Sequence, residues 1–170
     1  MIAPRPRLSR AARRADVALL VVMRTRGHRP SVERAIAAYS RTGEHSLLWL
    51  AACVLGVAVH RGRRSVYVRC GRAVVAAEVL NATAKIVINR RRPRIADLPP
   101  LTPTRTQLSH PSAHATTSFA AAGVLMHALP PALPHALAGA MALTRPYLGV
   151  HYPSDIVVGG AFGLLLARLI

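Results

Sequence analysis

"AHATTSFAAAGVLMHALPPALPHALAGAMALT", residues 113–144, contains no Asp, Glu, Lys or Arg. So long an uncharged stretch does not suit the surface of a soluble domain. Pro130, Pro131 and Pro134 interrupt it, because a proline ring lacks the N–H that helix continuation needs and clashes with the preceding turn. The stretch therefore reads as two apolar helices joined in a hairpin.

The rest of the chain agrees with a membrane setting. Its 170 residues carry 23 Lys+Arg against 6 Asp+Glu, yet 52% of residues are hydrophobic, and the mean hydropathy is positive. A soluble nucleic-acid binder explains the charge through phosphate neutralisation, but not the apolar runs, nor so few aromatics. A polytopic helical protein explains both, with arginines in the loops and apolar residues in the spans. Ser46 to Val59 is uncharged and stops at "HRGRR"; Ala73 to Ile88 follows, interrupted by Glu78, Asn81 and Lys85, and stops at "NRRRPR"; Ile156 to Ile170 is broken only by Arg168. With the hairpin this makes an all-α bundle of about five transmembrane helices, residues 46–170. Residues 1–45 read as a basic N-terminal segment carrying an interfacial helix, since residues 15–23 are too few to cross about 30 Å of hydrocarbon and "SVERAIAAY" is amphipathic at helical spacing. The start of the chain has the basic and apolar parts of a leader without a small-residue cleavage site, and reads as retained. Cys53 and Cys70 show no CxxC spacing and read as inert.

Alternate crossing puts three polar clusters on one face of the membrane. The first is "KIVINRRRP", Lys85 to Pro93, in which the separation of seven predicts Lys85 and Arg92 on one helical face, shared with Glu78 and Asn81. The second is "PSAH", Pro111 to His114, where Ser112 is placed to cap a helix whose free N–H groups attract an anion. The third is "TRPYLGVHYPSD", residues 144–155, with Arg145, His151 and Asp155. Together they supply fixed cations, a hydroxyl, a helix N-terminus, and two histidines with a carboxylate near one of them. Those are the parts phosphoryl transfer requires.

K-x6-RP, PS-x-H and R-x5-H-x3-D in this order resemble the type 2 phosphatidic acid phosphatase superfamily of membrane lipid phosphatases; the motifs cover residues 85–155. The resemblance implies His151 as the nucleophile that forms a phosphohistidine, Asp155 as its orienting partner, and His114 as general acid and later base. It implies Lys85, Arg92, Ser112, the Ala113 amide and Arg145 as phosphate ligands, and no metal and no cofactor. Ala113 stands where the family has glycine, and Thr144 where it has serine. Short Arg- and Ala-rich chains of this kind are similar to actinobacterial members, including those acting on decaprenylphosphoryl 5-phosphoribose in cell-wall arabinan synthesis. The expected partners are a lipid-linked phosphate and membrane lipids, without nucleic acid.

Other readings remain open at this stage. Undecaprenyl pyrophosphate, phosphatidate and phosphatidylglycerophosphate suit the same motifs, and a non-enzymatic basic protein binding anionic lipid suits the charge. A vanadate-holding halide oxidant is excluded by small size and hydrophobicity. Glu78 reads as a structural partner for Lys85 or an inward arginine, His110 as a loop residue, and "GEHS", residues 43–46, as a helix cap or a lining of the lipid entry. His127 and His135 fall on the opposite face. The arginines of residues 1–45 favour a cytoplasmic active-site face.

Overall fold

The computed structural model describes residues 10–170, and among them every regular element is helical apart from an isolated antiparallel bridge between Arg91 and Leu108. The helices are α1 (Arg10–Thr25), α2 (Pro30–Thr42), α3 (Leu47–Val59), α4 (Arg64–Ile88), α5 (Ala113–Leu125), α6 (Ala132–Tyr147) and α7 (Pro153–Leu169). The N-terminal segment thus holds two helices where the sequence suggests one, separated around Gly27, which has φ +72°. α4 begins at Arg64, ahead of the expected Ala73, because Tyr67 and Cys70 turn into the core while Arg64 and Arg72 stay exposed.

α5 is the central helix, packed by α4, α6 and α7. Trp49, Cys53, Tyr67, Cys70, Val74, Val124 and Leu125 fill the core beside a run of alanines, and both thiols there are free. The Trp49 indole N–H donates to Ser118 Oγ at 2.8 Å, so the hydroxyls on α5 serve a buried partner. The contact of α5 with α7 is close because α7 presents glycine: a Cβ on Gly163 would lie 2.2 Å from the Thr116 carbonyl oxygen, and one on Gly159 2.8 Å from that of Ser112. Small residues four apart let helix backbones approach in this way.

The chain reverses at each connection, so the carboxyl ends of α4 and α6 and the amino ends of α5 and α7 meet at one end of the bundle. Arg63, whose guanidinium donates to the His127 carbonyl, marks the other. α1 packs on α6 and α7, and α2 on α6. Among the described residues no single helix is long and apolar enough to cross a membrane; α2 and the segment Glu44–Val59, bent by 57°, pass that test as a pair. Large apolar side chains nevertheless face outward along α3, α4 and α7, including Val54, Val59, Ile86, Val87 and Val157.

Candidate active site

α4 ends where Asn89 adopts a left-handed conformation (φ 52°) and returns its N–H to the Lys85 carbonyl. Pro93 then disfavours a helical conformation at Arg92. The expected common helical face of Lys85 and Arg92 is therefore corrected: Lys85 is on the last turn of α4, and Arg92 is on the loop beyond it. The Arg91–Leu108 bridge fixes that loop, together with hydrogen bonds from Arg92 Nε to the Thr106 carbonyl (2.8 Å) and from Nη1 to the Val150 carbonyl (2.7 Å). Lys85 Nζ lies 3.5 Å from the Leu108 carbonyl oxygen.

Six of the eight residues singled out in the sequence, Lys85, Arg92, Ala113, His114, Arg145 and His151, line one cavity of about 240 Å³. Residues 43–45 and 103–106 also line it. Ser112 and Asp155 lie behind the wall, both fully buried. Ser112 occupies the N-cap position of α5, but its hydroxyl makes no capping hydrogen bond; the expectation of a side-chain cap is corrected. Ser112 Oγ and Arg145 Nε are buried without a hydrogen-bond partner, the condition of donors that await an anion. Glu78 accepts from Ser46 Oγ at 3.0 Å, and among the described residues no ion pair joins it to Lys85 or an arginine.

His151 sits on the turn between α6 and α7, which Gly149 makes possible. At φ +77° that residue suits glycine, and a Cβ would lie 2.8 Å from Arg24 Nε. His151 Nε2 is 3.0 Å from Arg92 Nη1. A guanidinium only donates, so Nε2 must accept, and the ring proton is on Nδ1, 3.4 Å from Asp155 Oδ2. Nδ1 at that distance makes no formal hydrogen bond. Burial pushes the imidazole down to about 3, with Asp155 pulling the other way, so His151 is neutral near pH 7 and carries its lone pair on Nε2. Burial likewise lowers the Arg92 guanidinium to about 10, which leaves it charged.

Asp155 is held by three donors besides its contact with His151. Oδ1 accepts from Arg90 Nη1 (2.8 Å) and His110 Nδ1 (2.9 Å), and Oδ2 from the Tyr152 N–H (2.9 Å). His110, read as a plain loop residue, is thus in the network. Arg90 escapes the sequence reading because a run of three arginines does not say which one turns inward.

Ser40 on α2 is the other residue the motifs do not mark. Its Oγ accepts from Arg145 Nη1 (2.5 Å) and Thr144 Oγ1 (3.2 Å), and its carbonyl accepts from His114 Nε2 (3.1 Å). That bond commits Nε2 of His114 as a donor and leaves Nδ1 to exchange a proton with a substrate. No group of three His, Cys, Asp or Glu side chains among the described residues is placed to hold a metal ion. His127 and His135 lie at the opposite end of the bundle, where His135 Nδ1 donates to the Pro131 carbonyl.

A neutral histidine backed by a carboxylate and faced by a lysine and two arginines, at one end of an α-helical bundle, has the parts that phosphoryl transfer requires. The chain belongs to the PAP2 superfamily, whose family model matches residues 66–170. Its relatives are more particular. It is 36% identical over 152 residues to the decaprenylphosphoryl-5-phosphoribose phosphatase of Mycolicibacterium smegmatis, covering 89% of this chain and 84% of that protein. To the protein of the same name from Mycobacterium tuberculosis it is 34% identical over 164 residues, covering 96% and 93%. The fold is shared with the transmembrane PAP2-type phosphatidylglycerolphosphate phosphatase of Bacillus subtilis (TM-score 0.77, 22% identity, 95% of this chain and 85% of that one). It is shared equally with LpxE of Aquifex aeolicus (TM-score 0.76, 21% identity, 90% and 92%).

Proposed function

We propose that this chain is a multi-pass membrane enzyme that hydrolyses the phosphomonoester of decaprenylphosphoryl-5-phosphoribose through a phosphohistidine. The observation that carries the reading is the convergence of Lys85, Arg92, His114, Arg145 and His151 on one small cavity, with the His151 lone pair on the nitrogen beside Arg92. The near full-length relatives of that name support the substrate. A cavity of about 240 Å³ suits a headgroup, and the outward apolar side chains of α3, α4 and α7 offer the tail a place among lipid chains.

In this mechanism Lys85, Arg92, Arg145 and the Ala113 N–H hold the non-bridging oxygens at the amino end of α5, with the unpaired Ser112 hydroxyl behind them. His151 Nε2 attacks phosphorus as the ester P–O bond breaks; the proton that a phosphate monoester monoanion carries passes to Nδ1 of His114, which gives it to the leaving alkoxide. Water then attacks the phosphohistidine, His114 takes its proton, and inorganic phosphate leaves while His151 regains its lone pair. Asp155 stabilises the imidazolium in between. Helices α3 to α7 are the five crossings, with α1 and α2 at the interface. The eight arginines of residues 10–45, with Arg90, Arg91, Arg92 and Arg94, turn this face to the cytoplasm, against Arg61, Arg63, Arg64, Arg69 and Arg72 opposite.

The test is phosphate release by the purified protein from polyprenyl, phosphoribosyl-polyprenyl and glycerolipid phosphates in the presence of EDTA. The phosphoribosyl lipid should be the fastest substrate, activity should survive EDTA, and vanadate should inhibit. A faster glycerolipid or polyprenyl pyrophosphate would overturn the substrate, and strict need for a divalent ion would overturn the histidine mechanism. Reporters fused at the N-terminus and within residues 95–108 read the orientation.

A further inference from the structure

Asp16 belongs to none of the motifs and lies on α1, before the stretch the family model matches. It is nonetheless buried, and both carboxylate oxygens are engaged. Oδ1 accepts the Ser154 N–H at 2.9 Å; Oδ2 accepts Ser154 Oγ at 2.6 Å and Arg90 Nη2 at 2.6 Å. The other terminal nitrogen of Arg90, Nη1, donates to Asp155 Oδ1 at 2.8 Å and to Ser154 Oγ at 2.7 Å, and the guanidinium lies over the Tyr152 ring. One cation is thus clamped between two carboxylates, the second of which faces His151.

The charge balance gives this clamp a chemical meaning. Arg90 alone against Asp155 would cancel the negative charge that Asp155 must offer when the His151 ring becomes cationic. With Asp16 included, the three groups carry one net negative charge, and the guanidinium is shared. Asp16 also fixes the side of Arg90 that meets Asp155, so Oδ1 is occupied and Oδ2 stays turned to His151. We propose that Asp16 is a positioning residue for the nucleophile: acting through Arg90, it holds Asp155 turned to His151 and leaves the cluster net negative for phosphohistidine formation. The inference rests on His151 being that nucleophile.

A purely structural role is the competing account, since Asp16 Oδ1 also caps an orphan N–H in the first turn of α7. Two substitutions separate the roles. Asp16→Asn keeps an oxygen for the Ser154 N–H and loses the charge; Asp16→Glu keeps the charge and displaces the cap. The assay is steady-state phosphate release together with acid quenching of labelled phosphoenzyme, on folded protein in detergent. Asp16→Asn should lower kcat and the rate of phosphoenzyme formation on the order of tenfold, with KM within about twofold, the size of one network interaction. Asp16→Glu should recover most of that loss. In an Arg90→Gln background Asp16→Asn should add less than about twofold, because the link is already cut.

Parental kcat in Asp16→Asn, effects that multiply in the Arg90→Gln background, or loss only in Asp16→Glu would overturn the proposal. Should Asp16→Asn not fold, Arg90→Gln alone decides: an undiminished kcat overturns the proposal, and a fall with KM preserved supports it. Failure of the nucleophile assignment is visible separately, as the absence of acid-labile label in the unsubstituted enzyme.

Discussion

Replacing Asp155 by Asn changes one atom's chemistry in a fully enclosed position, and the surroundings dictate the result. The native carboxylate faces donors on both oxygens: Arg90 and His110 at Oδ1, the Tyr152 N–H and His151 Nδ1 at Oδ2. An amide has one acceptor oxygen. Arg90 can only donate, so that oxygen turns to Arg90 and His110, and the new NH2 meets the Tyr152 N–H and the His151 ring. Losing one charge-assisted bond to a backbone N–H costs about 1–3 kcal/mol of stability. The larger effect is on the tautomer. To accept from the new NH2, His151 must shift its proton to Nε2, which removes the attacking lone pair and sets N–H against the Arg92 N–H at 3.0 Å. Together with the lost stabilisation of the imidazolium, kcat should fall about 10³- to 10⁴-fold, roughly 4–5.5 kcal/mol. The assay is kcat in detergent with acid-quench trapping, alongside substrate binding to confirm a formed pocket. A variant that folds, binds and turns over within about tenfold of the parent would refute the assignment of tautomer and role.

Lys85→Ala and Arg92→Ala should each cost about 3–5 kcal/mol of transition-state stabilisation, read from kcat/KM, while the exposed Arg61→Ala at the far end should be near neutral. Equal losses at all three would favour a diffuse basic surface. His114→Ala should still form phosphoenzyme from a nitrophenyl phosphate, whose anion leaves unaided, and should be slow with alkyl phosphates; equal losses on both would remove it as general acid. For pH, the folded protein resists protonating His151 down to about 3 whereas the unfolded ring accepts a proton near 6.5, so stability falls as pH drops from 6.5 and the effect is complete near 3. His151→Gln lacks that titration and should lose less melting temperature between neutral and mildly acidic buffer; an identical loss would contradict a buried neutral ring.

The sequence exposes this site where a single residue type suffices at a helix end. Uncharged runs and prolines define α5 and α6, and the alternation of apolar runs and polar ends puts Lys85, His114, Arg145 and His151 on one side without any structure. Arg92 is brought to the same place by other means, since Asn89 and Pro93 end the helix before it and a two-stranded contact with Leu108 carries it in. Asp16, Ser40, Arg90 and His110 were not legible, because each acts through partners 45 to 138 residues away whose meeting is decided by packing. Nothing local distinguishes Asp16 from an ordinary polar residue on an amphipathic helix. The split of the N-terminal segment at Gly27 was hidden similarly, by arginines compatible with either one helix or two.

The Arg92 N–H that points at the His151 lone pair has a consequence for what the resting enzyme tolerates. In the proposed mechanism the nucleophile is latched by one of the substrate's own ligands, and a ligand with enough negative charge to draw the guanidinium toward itself unlatches it. A phosphoryl group does so in the act of binding. Neutral esters and uncharged alkylating agents do not, so by the same mechanism the imidazole stays closed to them until a charged ligand arrives.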